Sequence, residues 1–209
     1  MLLSGGASRR MGTDKASLLI DGERAAVRAA ALLASVADPV VEVGPGHTAL
    51  PSVLEDPAGS GPAVAVTAGW SALRATGCPG PVLVLACDLP LVTRDLLRWL
   101  AGRPGEGSVV PVVAGRPQPL CARWSGADLD RLDVLTRSGH RAFKTLYGQL
   151  DVAFVDDHGW GVAASPADFS DTDTPEDLRR LGIAEVPPPG HPASGPTPPT
   201  RDVRDRRSQ

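Results

Sequence analysis

Six successive apolar residues, Val82-Leu83-Val84-Leu85-Ala86-Cys87, are closed by Asp88-Leu89-Pro90. A strand with one wet face alternates polar and apolar positions. A strand without alternation must be covered on both faces, as in the centre of a parallel sheet. The rest of the chain, to about residue 183, offers that cover. Strand-like runs at 39–43, 81–87, 108–113, 120–124 and 151–155 alternate with helical patterns at 24–35, 63–75, 93–101, 127–135, 139–147 and 175–181. This order predicts an α/β fold: a mostly parallel sheet with helices on its faces. Within 63–75, Val66, Trp70 and Leu73 recur at helical spacing and are expected to face the core. The segment 175–181 has a helix boundary at each end. Thr174 caps it, Pro175 takes the first turn, Asp177 completes a T-x-x-D box and Gly182 stops it.

Composition removes several function classes. The chain has 209 residues and a net charge of −3, with no long basic run, which argues against nucleic-acid binding. No apolar stretch approaches the ~20 residues of a membrane span, and no signal-like segment opens the chain. Cys78, Cys87 and Cys121 lack C-x-x-C spacing and are odd in number, so they read as thiols of a cytoplasmic protein. The four histidines, His47, His140, His158 and His191, show no zinc-ligand spacing. Residues 187–209 hold seven prolines and end in Arg201-Asp202-Val203-Arg204-Asp205-Arg206-Arg207. With so little apolar surface to offset ordering entropy, this Pro/Arg-rich tail is expected to be disordered. The folded domain is therefore expected to span residues 1–186.

The chemistry begins at Ser4. Leu3-Ser4-Gly5-Gly6-Ala7-Ser8-Arg9-Arg10-Met11-Gly12-Thr13-Asp14-Lys15 is a glycine loop directly after a short apolar run. Glycines there let the backbone approach a ligand and aim N–H groups at anionic oxygens. Arg9, Arg10 and Lys15 add three positive charges against Asp14 alone, so a phosphate-rich ligand is expected. Neither the P-loop spacing nor G-x-G-x-x-G is present. The feeding strand has only Met1-Leu2-Leu3, against the usual ~5–6 residues, so the natural chain is expected to start a few residues upstream.

This loop, L-x-G-G-x-x-x-R-M-G-x-D-K, resembles the opening signature of the molybdenum cofactor guanylyltransferases of the nucleotidyltransferase superfamily. Three further segments follow in the family's order: Asp56 through Gly61-Pro62, Cys87-Asp88-Leu89-Pro90, and Phe169 through Leu178. The resemblance spans about residues 1–183. It implies a Rossmann-like three-layer nucleotidyltransferase domain that joins GMP from GTP to the phosphate of molybdopterin, releasing pyrophosphate, with magnesium. By that resemblance Leu3, Ser4, Gly5, Gly6, Lys15, Asp56 and Asp88 bind the nucleotide. Arg10 and Lys15 would stabilise the charge that develops as the α-phosphorus is attacked. Asp88 emerges at the end of the most apolar strand, where open α/β sheets bind ligands, and is expected to hold the magnesium.

The last segment, Phe169-Ser170-Asp171-Thr172-Asp173-Thr174-Pro175-Glu176-Asp177-Leu178, departs from the pattern. It carries aspartates where the guanylyltransferases commonly have asparagines, in a chain that has no asparagine at all. The same spelling resembles the D-x-D-T-P of cytidylyltransferases. Asp173 is either a helix cap that complements the dipole or a second magnesium ligand. Gly5-Gly6 and Gln118-Pro119-Leu120 resemble the GTP-using branch. GTP is therefore the expected donor. The rivals are CTP, a sugar phosphate acceptor, and a nucleotide-binding regulator without turnover.

Arg137, His140, Arg141 and Lys144 fall at i, i+3, i+4 and i+7. On a helix through 139–147 they form one basic face, which is either simply solvated or holds the pterin's phosphate. Phe143 and Leu146 would anchor that helix in either case. The expected partners are small molecules, with neither nucleic acid nor membrane. The sequence carries no legible mark of a protein that delivers the pterin.

Overall fold

A computed structural model describes residues 1–5, 15–172, 175–181 and 183. The elements, in chain order, are β1 (Leu2–Leu3), β2 (Leu19–Ile20), β3 (Glu23–Arg24), α1 (Ala25–Ala34), β4 (Glu42–Val43), β5 (Ser52–Val53), α2 (Pro62–Ala75), β6 (Val82–Ala86), α3 (Arg94–Ala101), β7 (Ser108–Val113), β8 (Arg116–Pro117), β9 (Cys121–Trp124), α4 (Gly126–Arg137), α5 (Phe143–Leu146), β10 (Val152–Val155), α6 (Asp157–Trp160) and α7 (Pro175–Leu181). The main sheet runs β10-β7-β9-β6-β1-β4-β5, with β8 hairpinned onto β7. Along the main run only β9 is reversed, antiparallel to both β6 and β7. The α/β fold with a mostly parallel sheet is as the sequence predicts.

The unbroken apolar run of β6 serves both faces of the sheet. Leu83, Leu85 and Cys87 pack with α1 and α3, through Leu33, Leu96, Leu97 and Leu100. Val82 and Val84 pack on the opposite face with α2 and α4, through Val66, Trp70, Leu73, Leu129 and Leu132. Those two cores make the third layer explicit: helix, sheet, helix. Val66, Trp70 and Leu73 are all buried, as their spacing implies. Local signals set the helix starts. Thr93 accepts from Leu96 N–H at 3.3 Å before α3, and Ser125 from Asp128 N–H at 3.1 Å before α4. Pro62 opens α2 after Gly61 at φ 104°.

The anticipated helix over 139–147 is corrected to the four residues of α5, continued by a 3-10 turn over Tyr147–Gln149. Gly139, at φ 97°, reverses the chain after α4 and takes 139–142 off any helical path. Arg137, His140, Arg141 and Lys144 therefore share no helix face. Arg137 closes α4 and pairs with Asp133 at 2.8 Å. Phe143 and Leu146 are buried, as anchors should be. Other strands come out shorter than their runs: 39–43 reduces to Glu42–Val43.

Among the described residues Cys78, Cys87 and Cys121 form no disulfide with one another. Burial, reinforced by the Asp168 carboxylate, pushes the Cys121 thiol up to about 12, which makes it inert. Among the described residues no helix is long and apolar enough to cross a membrane. The tail at 187–209 and the Thr174 cap lie outside the described residues, while α7 occupies its predicted span.

Candidate functional site

The topology sends several chain ends to one edge of the sheet. β1, β4, β5 and β6 are mutually parallel, so Ser4-Gly5, Gly44, Leu54 and Cys87-Asp88 all leave the sheet at that edge. From β1 the chain builds outward through β4 and β5, then returns to pair β6 on the other side of β1. That reversal is a topological switch point, the place where open α/β sheets leave a crevice for a ligand. Leu3 is in register with Ala86, so Ser4 and Cys87 stand side by side at the crevice mouth. Cys87 N–H donates to Leu3 O at 3.0 Å.

Lys15 and Asp88 meet here. Nζ of Lys15 lies 3.2 Å from Oδ2 of Asp88, with side-chain exposures of 19% and 28%. Both are accessible enough to meet a ligand, yet too enclosed to be a fully solvated pair. Lys15 is held by a short 3-10 turn, Lys15–Ser17, whose Ala16 is buried in the α1 face of the core. Asp88 is held from a second side. Thr172, itself buried, donates from N–H (3.1 Å) and from Oγ1 (3.3 Å) to the carbonyl of Asp88. These two bonds bring the Phe169–Thr172 part of the aspartate segment against the loop after β6.

On the other side of β1 a carboxylate is buried. Glu42, fully covered, accepts from the Ser4 hydroxyl, from the N–H groups of Gly46 (3.2 Å), His47 (2.7 Å) and Thr48 (2.9 Å), and from Thr48 Oγ1 (2.7 Å). Burial pushes its carboxyl up. The bonds from Ser4, Thr48 and His47 outweigh this and hold it below the ordinary carboxylate value. Its stabilising contribution is thus complete above the ordinary glutamate pKa and fades as pH falls through the lowered native value. Acid titration followed by thermal melting should show that loss at the acid end, with no change attributable to Glu42 between pH 6 and pH 8.

The structure thus joins Leu3, Ser4, Gly5, Lys15 and Asp88 at one crevice. Asp56 follows β5 at the sheet's edge, two strands from β1, with its carboxylate exposed. Gly6, Arg10 and Asp173 lie outside the described residues. Arg141 comes to this edge by an unexpected route: its loop lies against Gly61, and its Nη1 reaches the Ser60 carbonyl at 3.5 Å before α2. Glu42 and Thr172 are functional candidates that sequence reasoning missed. The signal for Glu42 was present, an acid inside the apolar run 39–43.

The family model for the MobA-like NTP transferase domain matches residues 1–161. A protein of Cereibacter sphaeroides named molybdenum cofactor guanylyltransferase is 33% identical over 196 residues, covering 86% of this chain and 93% of the relative. A protein of the same name from Rhodobacter capsulatus is 30% identical over 190 residues, covering 86% and 92%. Among solved structures, molybdopterin-guanine dinucleotide biosynthesis protein A of Archaeoglobus fulgidus superposes with a TM-score of 0.68 at 22% identity, covering 86% and 94%. A 2-C-methyl-D-erythritol 4-phosphate cytidylyltransferase of Thermus thermophilus gives 0.57 at 22%, covering 86% and 95%. The two structural likenesses speak for the fold.

Proposed function

The chain belongs to the MobA-like NTP transferase family, and from that premise we propose that it transfers GMP from GTP to the phosphate of molybdopterin, releasing pyrophosphate. The observation that carries the reading is the Lys15–Asp88 pair, 3.2 Å apart in the crevice between β1 and β6. A nucleotidyl transfer asks for little covalent work from the protein. It asks for positioning and for charge stabilisation around the α-phosphorus.

The residues divide that work. The backbone of Leu3, Ser4 and Gly5 receives the nucleoside side of GTP. Asp56, beyond β5, is assigned a contact on the same ligand. Lys15 is a compact point charge that leaves Asp88 for the triphosphate and stabilises the negative charge gathered there during attack. Arg10 is assigned the same task. The pterin's phosphate is already ionised near neutrality, so attack in line on the α-phosphorus needs no strong general base.

The donor set suits magnesium, which takes hard oxygens and usually one or two carboxylates plus substrate phosphates. Asp88 is partly exposed at the crevice and is assigned as its ligand, with Asp173 as the second carboxylate. When bound, the metal supplies charge neutralisation on the triphosphate oxygens. Arg141, held at the start of α2, is the member of the basic set assigned to the pterin's phosphate. Reversing its charge, Arg141→Glu, should raise the KM for molybdopterin about tenfold or more while leaving that for GTP within twofold. An unchanged pterin KM would remove Arg141 from the acceptor site. We place the enzyme in the cytoplasm, where GTP is supplied and its three thiols stay reduced.

The deciding experiment measures pyrophosphate release with magnesium and molybdopterin, comparing GTP with CTP. Turnover with GTP in preference to CTP is expected. Preference for CTP would make Asp171-Thr172-Asp173 the guide to base choice. Release with neither, from folded protein that binds GTP, would leave a nucleotide-binding regulator.

A further inference from the structure

Glu42 is a charged group in a place where the fold asks for none. It sits in β4 between β1 and β5, has no exposure, and the five donors that surround its carboxylate are all neutral. Among the described residues no opposite charge meets it; burying an ion that way is costly, and an apolar residue of similar size would pack a short strand at least as well. What the carboxylate does is join two loops. One is Ser4-Gly5, the start of the glycine segment. The other is 44–48, which wraps around both carboxylate oxygens: Oε1 takes Gly46 N–H and His47 N–H, and Oε2 takes both groups of Thr48. Ser4 reaches across from β1 to Oε1.

A second observation shows how closely the two loops are set. Ser4 N–H and Gly5 N–H both donate to Val43 O, at 3.0 and 3.2 Å. A Cβ built on Gly44 would fall 2.1 Å from Ser4 Oγ and 2.8 Å from Gly5 N. Gly44 therefore lies directly against the Ser4 side chain and the Ser4-Gly5 backbone, leaving no room for a side chain of its own, and φ 154° at Gly44 suits that approach. Thr48 Oγ1 also accepts from Leu50 N–H at 3.1 Å, extending the hold toward β5.

We propose that Glu42 is a positioning residue of the nucleotide site, its buried carboxylate locking Ser4-Gly5 and residues 44–48 into one rim that holds the nucleoside of GTP. The proposal rests on the GTP-using reading above. Glu42 does not itself touch the ligand; its oxygens are occupied by the protein. Its effect is pre-organisation. Loops ordered before binding spare the nucleotide the cost of ordering them, which appears as affinity rather than as chemical rate.

The test uses the full chain and two variants, Glu42→Gln and Thr48→Val. An amide keeps the size of the carboxylate but turns one end into a donor facing donors. Thr48→Val removes one hydroxyl and leaves the carboxylate. For each protein, GTP binding is titrated directly, and KM and kcat are measured by pyrophosphate release. Glu42→Gln should weaken GTP binding and raise its KM by roughly 10- to 100-fold, with kcat within about threefold of wild type. Thr48→Val should do the same in smaller measure, roughly 3- to 10-fold. A merely structural role gives a lower melting temperature and less active protein with KM and affinity unchanged, and that result overturns the proposal. So does a fall in kcat at constant KM. If Glu42→Gln does not fold, Thr48→Val decides by the same criterion. Wild-type protein that binds GTP without releasing pyrophosphate would fail the transferase reading alone, since the affinities still report on the rim. Wild-type protein that binds no GTP would overturn both.

Discussion

Replacing Asp88 by asparagine should lower pyrophosphate release from GTP by about 10³-fold while the protein melts within a few degrees of wild type. The two halves of that expectation have separate sources. Asparagine matches aspartate in size, and the bonds from Thr172 go to the Asp88 carbonyl, so the loop after β6 keeps its path. The side chain's visible tie is to Lys15, a partly exposed pair, and such pairs contribute about 1 kcal/mol or less. Folding should hardly register the change. Activity should register it heavily, because an amide offers a metal a weak neutral oxygen in place of a carboxylate. Lys15→Ala should cost about 10²–10³-fold in kcat by removing the charge we assign to the triphosphate. The double variant should fall well short of the product of the two, since each residue acts on the same charged group. Full activity in Asp88→Asn would remove the metal from this carboxylate.

How much of this was legible in the chain depends on which physical signal each part carries. The unbroken apolar run before Asp88 announced a central strand, and β6 is one, with Leu83 and Leu85 on one face and Val82 and Val84 on the other. The helices expected at 93–101 and 127–135 were legible too, and the structure adds the caps that start them, Thr93 and Ser125. The short elements were not. β2 and β3 pair around Asp21-Gly22, both at positive φ, and the D-G turn was their available mark. β5 and β8 have two residues each, too few to show a period. The basic set at 137–144 failed for a different reason. Its spacing fits a helix, but Gly139 reverses the chain inside it, so i+3 and i+4 neighbours separate. At the site, Lys15 and Asp88 are 73 residues apart in sequence and were placed together by the family resemblance. Glu42 needed the structure. Only there does a lone acid in a strand become the shared acceptor of two loops.

The largest effect on stability is expected at Trp124. It ends β9 fully buried, packs in the core with α2 and α4, stacks on Phe143 at 5.1 Å between centroids, and donates from Nε1 to Pro119 O at 3.0 Å. Trp124→Ala removes an indole that this core cannot refill without moving two helices, so a loss of about 3–5 kcal/mol is expected. For a domain of this size that is a fall in melting temperature of roughly 6–20 °C. Trp124→Phe retains the ring contact and gives up one hydrogen bond, which should cost markedly less, about 1–2 kcal/mol. The loss should reach function along a definite path. Phe143 opens α5 directly after the loop that carries Arg141 to the Ser60 carbonyl. With one of its two ring partners gone and Tyr147 remaining, that loop loses part of its anchor, whereas the Lys15–Asp88 crevice is built on β1 and β6 and keeps its supports. Trp124→Ala, assayed well below its melting point, should therefore raise the KM for molybdopterin more than the KM for GTP. Thermal unfolding and the two KM values check the two halves independently. Equal rises in both would mean that the packing around Trp124 supports the whole edge of the sheet rather than its acceptor side.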